Sequence, residues 1–146
     1  MDIDTVDDLN VLLRGELSAI ATYKQATQRV LARHGQDPRF QDLAQILHDH
    51  EQAASQLVDL IQNLGGTAVH DTGTWGTWAN TVMGAASLLG DKAALRALKE
   101  GEEAGVKDYR AAVRDHWTPE LTELCTSIMS REEDHVRRLD RLIHAA

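Results

Sequence analysis

Near the carboxyl end of the chain, an acid and a histidine interrupt an otherwise apolar stripe. Glu132 and His135 have the spacing i, i+3, and the stripe advances in steps of four and three residues, as one face of an α-helix does. Two side chains at this spacing point the same way and can reach one cation. Because carboxylate oxygen and imidazole nitrogen suit iron, manganese or zinc, the pattern indicates metal chemistry. The stripe comprises Leu121, Cys125, Ile128, Glu132, His135, Leu139 and Leu142.

Another acid pattern occurs twice in the chain. Glu16 and Tyr23 recur as Glu102 and Tyr109, and each acid follows a glycine and lies among apolar residues at helical spacing. A buried carboxylate without a partner costs on the order of several kcal/mol, and several together cost more unless they take up protons or share a cation. In di-iron bundles, two helices each lend one Glu beside the Glu-x-x-His helices. We therefore predict that Glu16 and Glu102 bind metal.

The elements that carry these acids are predicted to be helices. The first helix is expected to begin near Thr5, which can cap it, and to end at Gly35. The second is expected to begin at Asp37-Pro38, where Asp caps and Pro fits the first turn, and to run to Leu64.

The second half of the chain repeats this arrangement. Residues 67–90 are turn-rich and then form a short predicted helix, so we interpret them as a crossover. Asp91 is predicted to cap the third long helix, and Thr118-Pro119 to begin the fourth. Residues 1–66 and 91–146 are thus two similar hairpins, and the prediction is one all-α domain over 1–146, a four-helix bundle. An extended helical array is the alternative, but two units are too few to stabilise one.

The second helix departs from the metal pattern because it contains no Glu-x-x-His. In one register His50 is the histidine and Leu47 takes the position of the acid; in the other, Glu51 is the acid and Ala54 takes the position of the histidine. Counting residues from the turn places Glu51 nearer the level of Glu16. Both His50 and Glu51 remain candidate ligands, and the site is predicted to hold one or two ions.

Composition excludes several classes of function. With 15 basic and 23 acidic residues, the net charge of −8 argues against binding to nucleic acid or anionic membranes and favours attracting cations. The single cysteine, Cys125, excludes an internal disulfide and indicates a reducing compartment; we predict a buried, inert thiol. The acidic start does not resemble a signal peptide, and no apolar run could span a membrane. We therefore expect a cytoplasmic protein.

Two stretches carry a family resemblance. The first helix contains ELSAIATY, which resembles the first helix of bacterioferritins and rubrerythrins, members of the ferritin-like superfamily. The last contains SREEDHVRRLDRLI, which is similar to their last helix. With LGGTAVHDTGTW and GEEAGVKDY, the whole chain resembles more closely a bacterial family of ferritin-like bundles known as a domain of unknown function. The resemblance implies tyrosines beside the metal at Tyr23 and Tyr109, and the ligands Glu16, Glu102, Glu132 and His135.

Three functional hypotheses follow. The first is a bundle that binds iron, or manganese or zinc, and oxidises Fe(II) with oxygen or peroxide, with Tyr23 or Tyr109 supplying hydrogen bonds or an electron. The second is a non-catalytic stress-response or protein-interaction bundle with a degenerate metal site. The third is a bundle in which a metal ion only relieves buried charge. A homodimer is compatible with the sequence. Trp75 and Trp78 are predicted to pin the crossover.

Overall fold

The computed structural model describes residues 3–34 and 38–145, with side chains except those of residues 30–34, 38–40 and 74. In this part of the chain all regular structure is helical, which confirms the all-α prediction. The elements are α1 (Ile3–His34), α2 (Pro38–Asn63), a 3₁₀ helix (Gly73–Thr77), α3 (Trp78–Leu89), α4 (Asp91–Ala112) and α5 (Pro119–Ala145).

The four long helices form a bundle of two paired hairpins, as predicted. α1 packs along α2 and α4 along α5, while further contacts join α1 to α4 and α2 to α5. The short helix α3 lies against α1 and α4. None of the helices in the described ranges carries an apolar stretch that would reach across a lipid bilayer.

The core is divided into two apolar clusters. One contains Leu13 of α1, Leu57 of α2 and Ile128 of α5, and the other contains Ile46 of α2 and Leu139 of α5. On α1, α2, α4 and α5 alike, the residues between the two clusters include a buried acid or histidine. The apolar layers therefore enclose a polar level near the middle of the bundle.

Several helix ends agree with the sequence and others do not. α2 begins at Pro38 and α5 at Pro119, where the Leu121 amide donates to the Thr118 hydroxyl at 3.3 Å. α1 begins before Thr5, and Asp91 is the first residue of α4 and not its cap, because Gly90 with φ +90° occupies that position. The predicted helix end at Gly35 and the predicted cap Asp37 lie outside the described residues.

The first part of the crossover is fastened to one face of α1. The Asn10 side chain donates to Thr67 O and accepts from the Val69 amide, both at 3.0 Å. One turn further along α1, Arg14 pairs with Asp71 at 3.0 Å, and after another turn the Ser18 hydroxyl donates to the carbonyl oxygen of Trp75 at 2.7 Å. Three consecutive turns of α1 therefore set the position of the 3₁₀ helix.

The single cysteine, Cys125, is buried in the core, as predicted, and burial raises the pKa of its thiol to about 12.

The two crossover tryptophans pack against the two repeated glycines. A Cβ atom on Gly101 would overlap the Trp78 indole, and one on Gly15 would lie 3.3 Å from the Trp75 indole nitrogen. Trp78 also donates its indole N–H to Ala97 O at 3.2 Å. Each glycine that precedes a repeated acid thus admits an aromatic ring of the crossover, and the two tryptophans pin that segment as predicted.

Candidate metal centre

The bundle brings five of the six predicted ligands together. Each lies at the polar level and is at most 4% exposed. They come from all four long helices: Glu16, His50, Glu102, Glu132 and His135.

His50 lies between two carboxylates. Its Nδ1 is 2.6 Å from Glu16 Oε2, and its Nε2 is 2.7 Å from Glu102 Oε1. An imidazole can donate from both nitrogens only when it is doubly protonated. Burial alone would lower the pKa of His50, but the charges of Glu102 and Glu16 and their hydrogen bonds raise it well above the usual value. The geometry therefore describes an imidazolium held by two carboxylates.

The pKa values of the two carboxylates, Glu16 and Glu102, are shifted in the opposite direction, below their ordinary value. Burial alone would raise the pKa of Glu16 and of Glu102, but the charge of His50 and hydrogen bonds lower both below their ordinary value. Glu16 and Glu102 are accordingly ionised at neutral pH.

Glu132 is a different kind of acid. Among the described residues none hydrogen-bonds its Oε2, and a Cβ atom on the facing Gly105 would lie 2.6 Å from this oxygen. Burial raises the pKa of Glu132 well above the usual value, and the negative charges of Glu16 and Glu102 and a hydrogen bond with Glu16 act in the same direction. A buried acceptor without a partner costs free energy, so Glu132 Oε2 is the atom that a cation at this level would satisfy.

On the side of its ring that faces away from the other ligands, His135 contacts Asp49, an acid that the sequence did not identify as part of the site. Its Nε2 is 2.8 Å from Asp49 Oδ2, and its Nδ1 faces Glu102 Oε2 at 3.4 Å. When Nε2–H of a neutral His135 ring donates a hydrogen bond to Asp49, the lone pair of Nδ1 points to the cluster. This is the usual arrangement of a ligand histidine oriented by a carboxylate. The repetition of Asp-His at Asp49-His50 and Asp134-His135 was the available signal.

The repeated tyrosines contact the acids crosswise. Tyr23 of α1 donates to Glu102 Oε1 of α4 at 2.7 Å, and Tyr109 of α4 donates to Glu16 Oε1 of α1 at 2.8 Å. Burial and the nearby carboxylates raise the pKa of both phenols well above the usual value. Both tyrosines are therefore neutral donors that hold one oxygen of each repeated acid.

Two overlapping groups have donor atoms within 4.8 Å of one another and could hold a metal ion. One is His50, Glu102 and His135, and the other is Glu16, His50 and Glu132. A cavity of about 20 Å³ borders Glu16, Glu102 and Glu132, among other residues. Such a volume suffices for about one water molecule.

The structure does not bring Glu51 to this cluster. Glu51 is exposed, whereas the preceding His50 is buried. Successive residues of an α-helix are turned by about 100°, so only one of two neighbours can face the interior. Counting residues along the helix located the level of the site but not the direction of the side chain. The position three residues before His50, where a Glu-x-x-His pattern has its acid, is occupied by the partly buried Leu47.

Comparisons with known proteins agree with this architecture. A family described as "Domain of unknown function (DUF2383)" matches residues 4–115. Among curated proteins, none matches the chain significantly. A solved structure from Bacillus anthracis str. Ames, described as ferritin-like, diiron-carboxylate proteins, is similar with a TM-score of 0.75 and 23% sequence identity, over 98% of this chain and 99% of that one. At this identity the similarity shows the fold, a ferritin-like helical bundle.

Proposed function

Since the chain belongs to the DUF2383 family and has a ferritin-like fold, we propose that its buried cluster binds a first-row divalent metal ion, with iron preferred. Manganese and zinc suit the same mixture of carboxylate and imidazole donors. The solved relative is described as a diiron-carboxylate protein, which favours iron among the three.

The unpartnered oxygen of Glu132 is the observation that carries this proposal. Glu132 lies within one buried level with Glu16 and Glu102, where the imidazolium of His50 lies between two ionised carboxylates, and its Oε2 has no hydrogen-bond partner among the described residues. Buried charge is costly without compensation, and a divalent cation compensates more of it than one imidazolium does. Glu132 would then bind as a carboxylate after losing its proton to solvent.

The donor set favours one ion over two. A neutral imidazole has one nitrogen lone pair available, so His50 can serve only one of the two overlapping groups at a time. The two groups share His50, so we propose that one ion takes donors from both, with Glu132 supplying a carboxylate and His135, oriented by Asp49, an imidazole. Leu47 and the outward-facing Glu51 leave α2 without an acid that could complete a second set.

Oxidation of Fe(II) by oxygen or peroxide is the chemistry that bound iron would supply here. The chain's own residues would hold the donors in place for it. Tyr109 fixes Glu16 through the oxygen that His50 does not contact, and Tyr23 donates to the same Glu102 oxygen as His50. Asp49 fixes the ring of His135. The apolar clusters on both sides limit the access of water.

Metal content after anaerobic loading with Fe(II) tests the proposal. We expect about one retained ion per chain in the parent and a loss of at least tenfold in affinity in Glu132→Gln, which keeps the size of the side chain. Glu133→Gln is the matched control, because its half-buried side chain faces the outer groove between α4 and α5. Retention of the full metal content by Glu132→Gln would contradict the proposed ligand set.

A metal-independent bundle is the second candidate, favoured by the engagement of both His50 nitrogens with carboxylates. In this alternative the imidazolium is the permanent counter-charge, and the bundle serves in protein interaction or stress response. A parent protein that retains no Fe(II), Mn²⁺ or Zn²⁺ would support it and would overturn the metal proposal.

A further inference from the structure

The wall between the buried cluster and solvent consists of few residues on the side of the crossover. The small cavity beside Glu16 is also lined by Trp75 and Asp108. These same two residues line a surface depression of about 520 Å³, together with Val11, Arg14, Asp71 and Gly73. Trp75 and Asp108 therefore separate the interior cavity from an open depression.

The two crossover tryptophans differ in how firmly they are held. Trp78 is buried, its indole N–H is bonded to Ala97 O, and its ring occupies the space over Gly101. Trp75 is half-buried in a five-residue 3₁₀ helix, and its ring touches the edge of Trp78 with a centroid separation of 5.6 Å. The carbonyl oxygen of Trp75 accepts a hydrogen bond from Ser18, so the backbone at this position is held independently of the indole ring.

Asp108 supplies a carboxylate at the same wall. Burial raises the pKa of Asp108, and a hydrogen bond from Trp75 acts in the opposite direction. Arg14, a cationic side chain that lines the depression, is paired with Asp71 at 3.0 Å, which reduces its repulsion of an approaching cation.

The size of the cavity requires movement of the wall. A volume of about 20 Å³ accommodates about one water molecule, whereas a divalent ion in solution carries a shell of several. A cation can therefore enter only if a side chain moves aside and if ligands at the opening replace part of its hydration.

We propose that metal ions reach the cluster through this port between α1, α4 and the crossover, with Asp108 as a transit ligand and Trp75 as the side chain that turns aside. The port rests on the proposed metal-binding function and adds to it the route of the ion. When Trp75 turns outward, its indole leaves Asp108 and the space over Gly15, and the carboxylate becomes available to the cation.

Stopped-flow measurement of Co²⁺ uptake, followed by visible absorption, tests the port. Trp75→Ala is expected to accelerate uptake about tenfold or more without changing the number of ions bound at equilibrium. Trp75→Phe, which keeps a ring but removes the donor to Asp108, is expected to accelerate it less. Asp108→Asn is expected to slow uptake about threefold or more at low ionic strength, since a charge at an opening raises association rates. Glu103→Gln, on the outer side of α4, is the control with the same loss of charge and is expected to match the parent.

A readout without metal separates the two proposals. The indole N–H of Trp75 is expected to exchange with deuterium at least tenfold faster than that of Trp78, as measured by NMR. Uptake rates within twofold of the parent in both Trp75 variants, or equal exchange of the two indoles, would overturn the port while leaving the metal site intact. A parent that binds no Co²⁺ at equilibrium would refute the metal-binding function and the port with it.

Discussion

Replacing Glu102 and Glu132 separately by Gln should have opposite consequences for the stability of the metal-free protein. Glu102 accepts hydrogen bonds from Tyr23 and His50, and its pKa is lowered by the charge of His50 despite burial. Glu132 has a raised pKa and an oxygen without a partner among the described residues. One acid is therefore ionised and paired at neutral pH, and the other is neutral.

The magnitudes follow from this difference. Hydrogen bonds to a charged group contribute about 1.5–3 kcal/mol. Glu102→Gln leaves His50 paired with Glu16 and removes the charged acceptor of Tyr23 and His50, so a loss of about 2–3 kcal/mol is expected. Glu132→Gln exchanges one neutral group for another of the same shape, and its cost is expected to stay below about 1 kcal/mol. For a chain of this length the first loss corresponds to a decrease in Tm on the order of 10 °C.

Urea unfolding followed by circular dichroism, on protein treated with a chelator at neutral pH, measures both free energies of unfolding. Equal destabilisation by the two substitutions would refute the reasoning, because it would mean that Glu132 is also ionised and paired. A negligible effect of Glu102→Gln would also refute the reasoning, since the charge of His50 would then not depend on that carboxylate.

Three further predictions concern packing, pH and the orientation of a ligand. Gly101→Ala places a methyl group against the Trp78 indole and should lower the free energy of unfolding by about 1–3 kcal/mol. At Gly84 no described atom lies within 4 Å of a new Cβ, so Gly84→Ala should stabilise α3 by about 0.5–1 kcal/mol. Equal effects of the two substitutions in thermal unfolding would contradict this. Because the folded-state pKa of His50 is raised, its stabilising contribution is fully present below about pH 6.5 and is lost as the pH rises through the folded-state pKa. The urea midpoint of the metal-free protein should therefore fall in alkaline buffers. An unchanged midpoint would count against the imidazolium. Asp49→Asn should weaken Co²⁺ affinity about 10- to 100-fold by releasing the ring of His135, and Asp49→Glu should restore part of it; equal affinities in a competition titration would exclude this role.

Periodicity predicted the features that depend on one helix at a time. The steps of four and three residues around Glu132 placed it and His135 on the inner face of α5, and both are buried there. The same argument placed Glu16 and Glu102 inside, and the long crossover completed a bundle of four helices. These predictions succeeded because the direction of a side chain relative to its own helix is set by local geometry.

The features that depend on how helices are placed against each other could not be predicted in the same way. Glu51 and His50 are adjacent, and only the rotation of α2 within the bundle decides which one faces inward. The role of Asp49 likewise requires that α2 lie beside α5. Tyr23 cannot reach Glu16 on its own helix, because seven residues correspond to roughly 10 Å along the axis. Its acceptor is Glu102 of another helix, and this contact can be seen only when α1 and α4 are packed together.

The crosswise contacts of the tyrosines have a consequence for how the protein folds. The acid of each hairpin receives its phenol from the other hairpin: Tyr109 donates to Glu16, and Tyr23 donates to Glu102. His50, which balances both acids, belongs to the first hairpin alone. If the second hairpin forms early, Glu102 lacks both Tyr23 and His50 until the first hairpin docks, and Glu16 of the first hairpin keeps His50 but lacks Tyr109. Mutual dependence of this kind favours a single cooperative transition, in which neither hairpin persists without its counterpart.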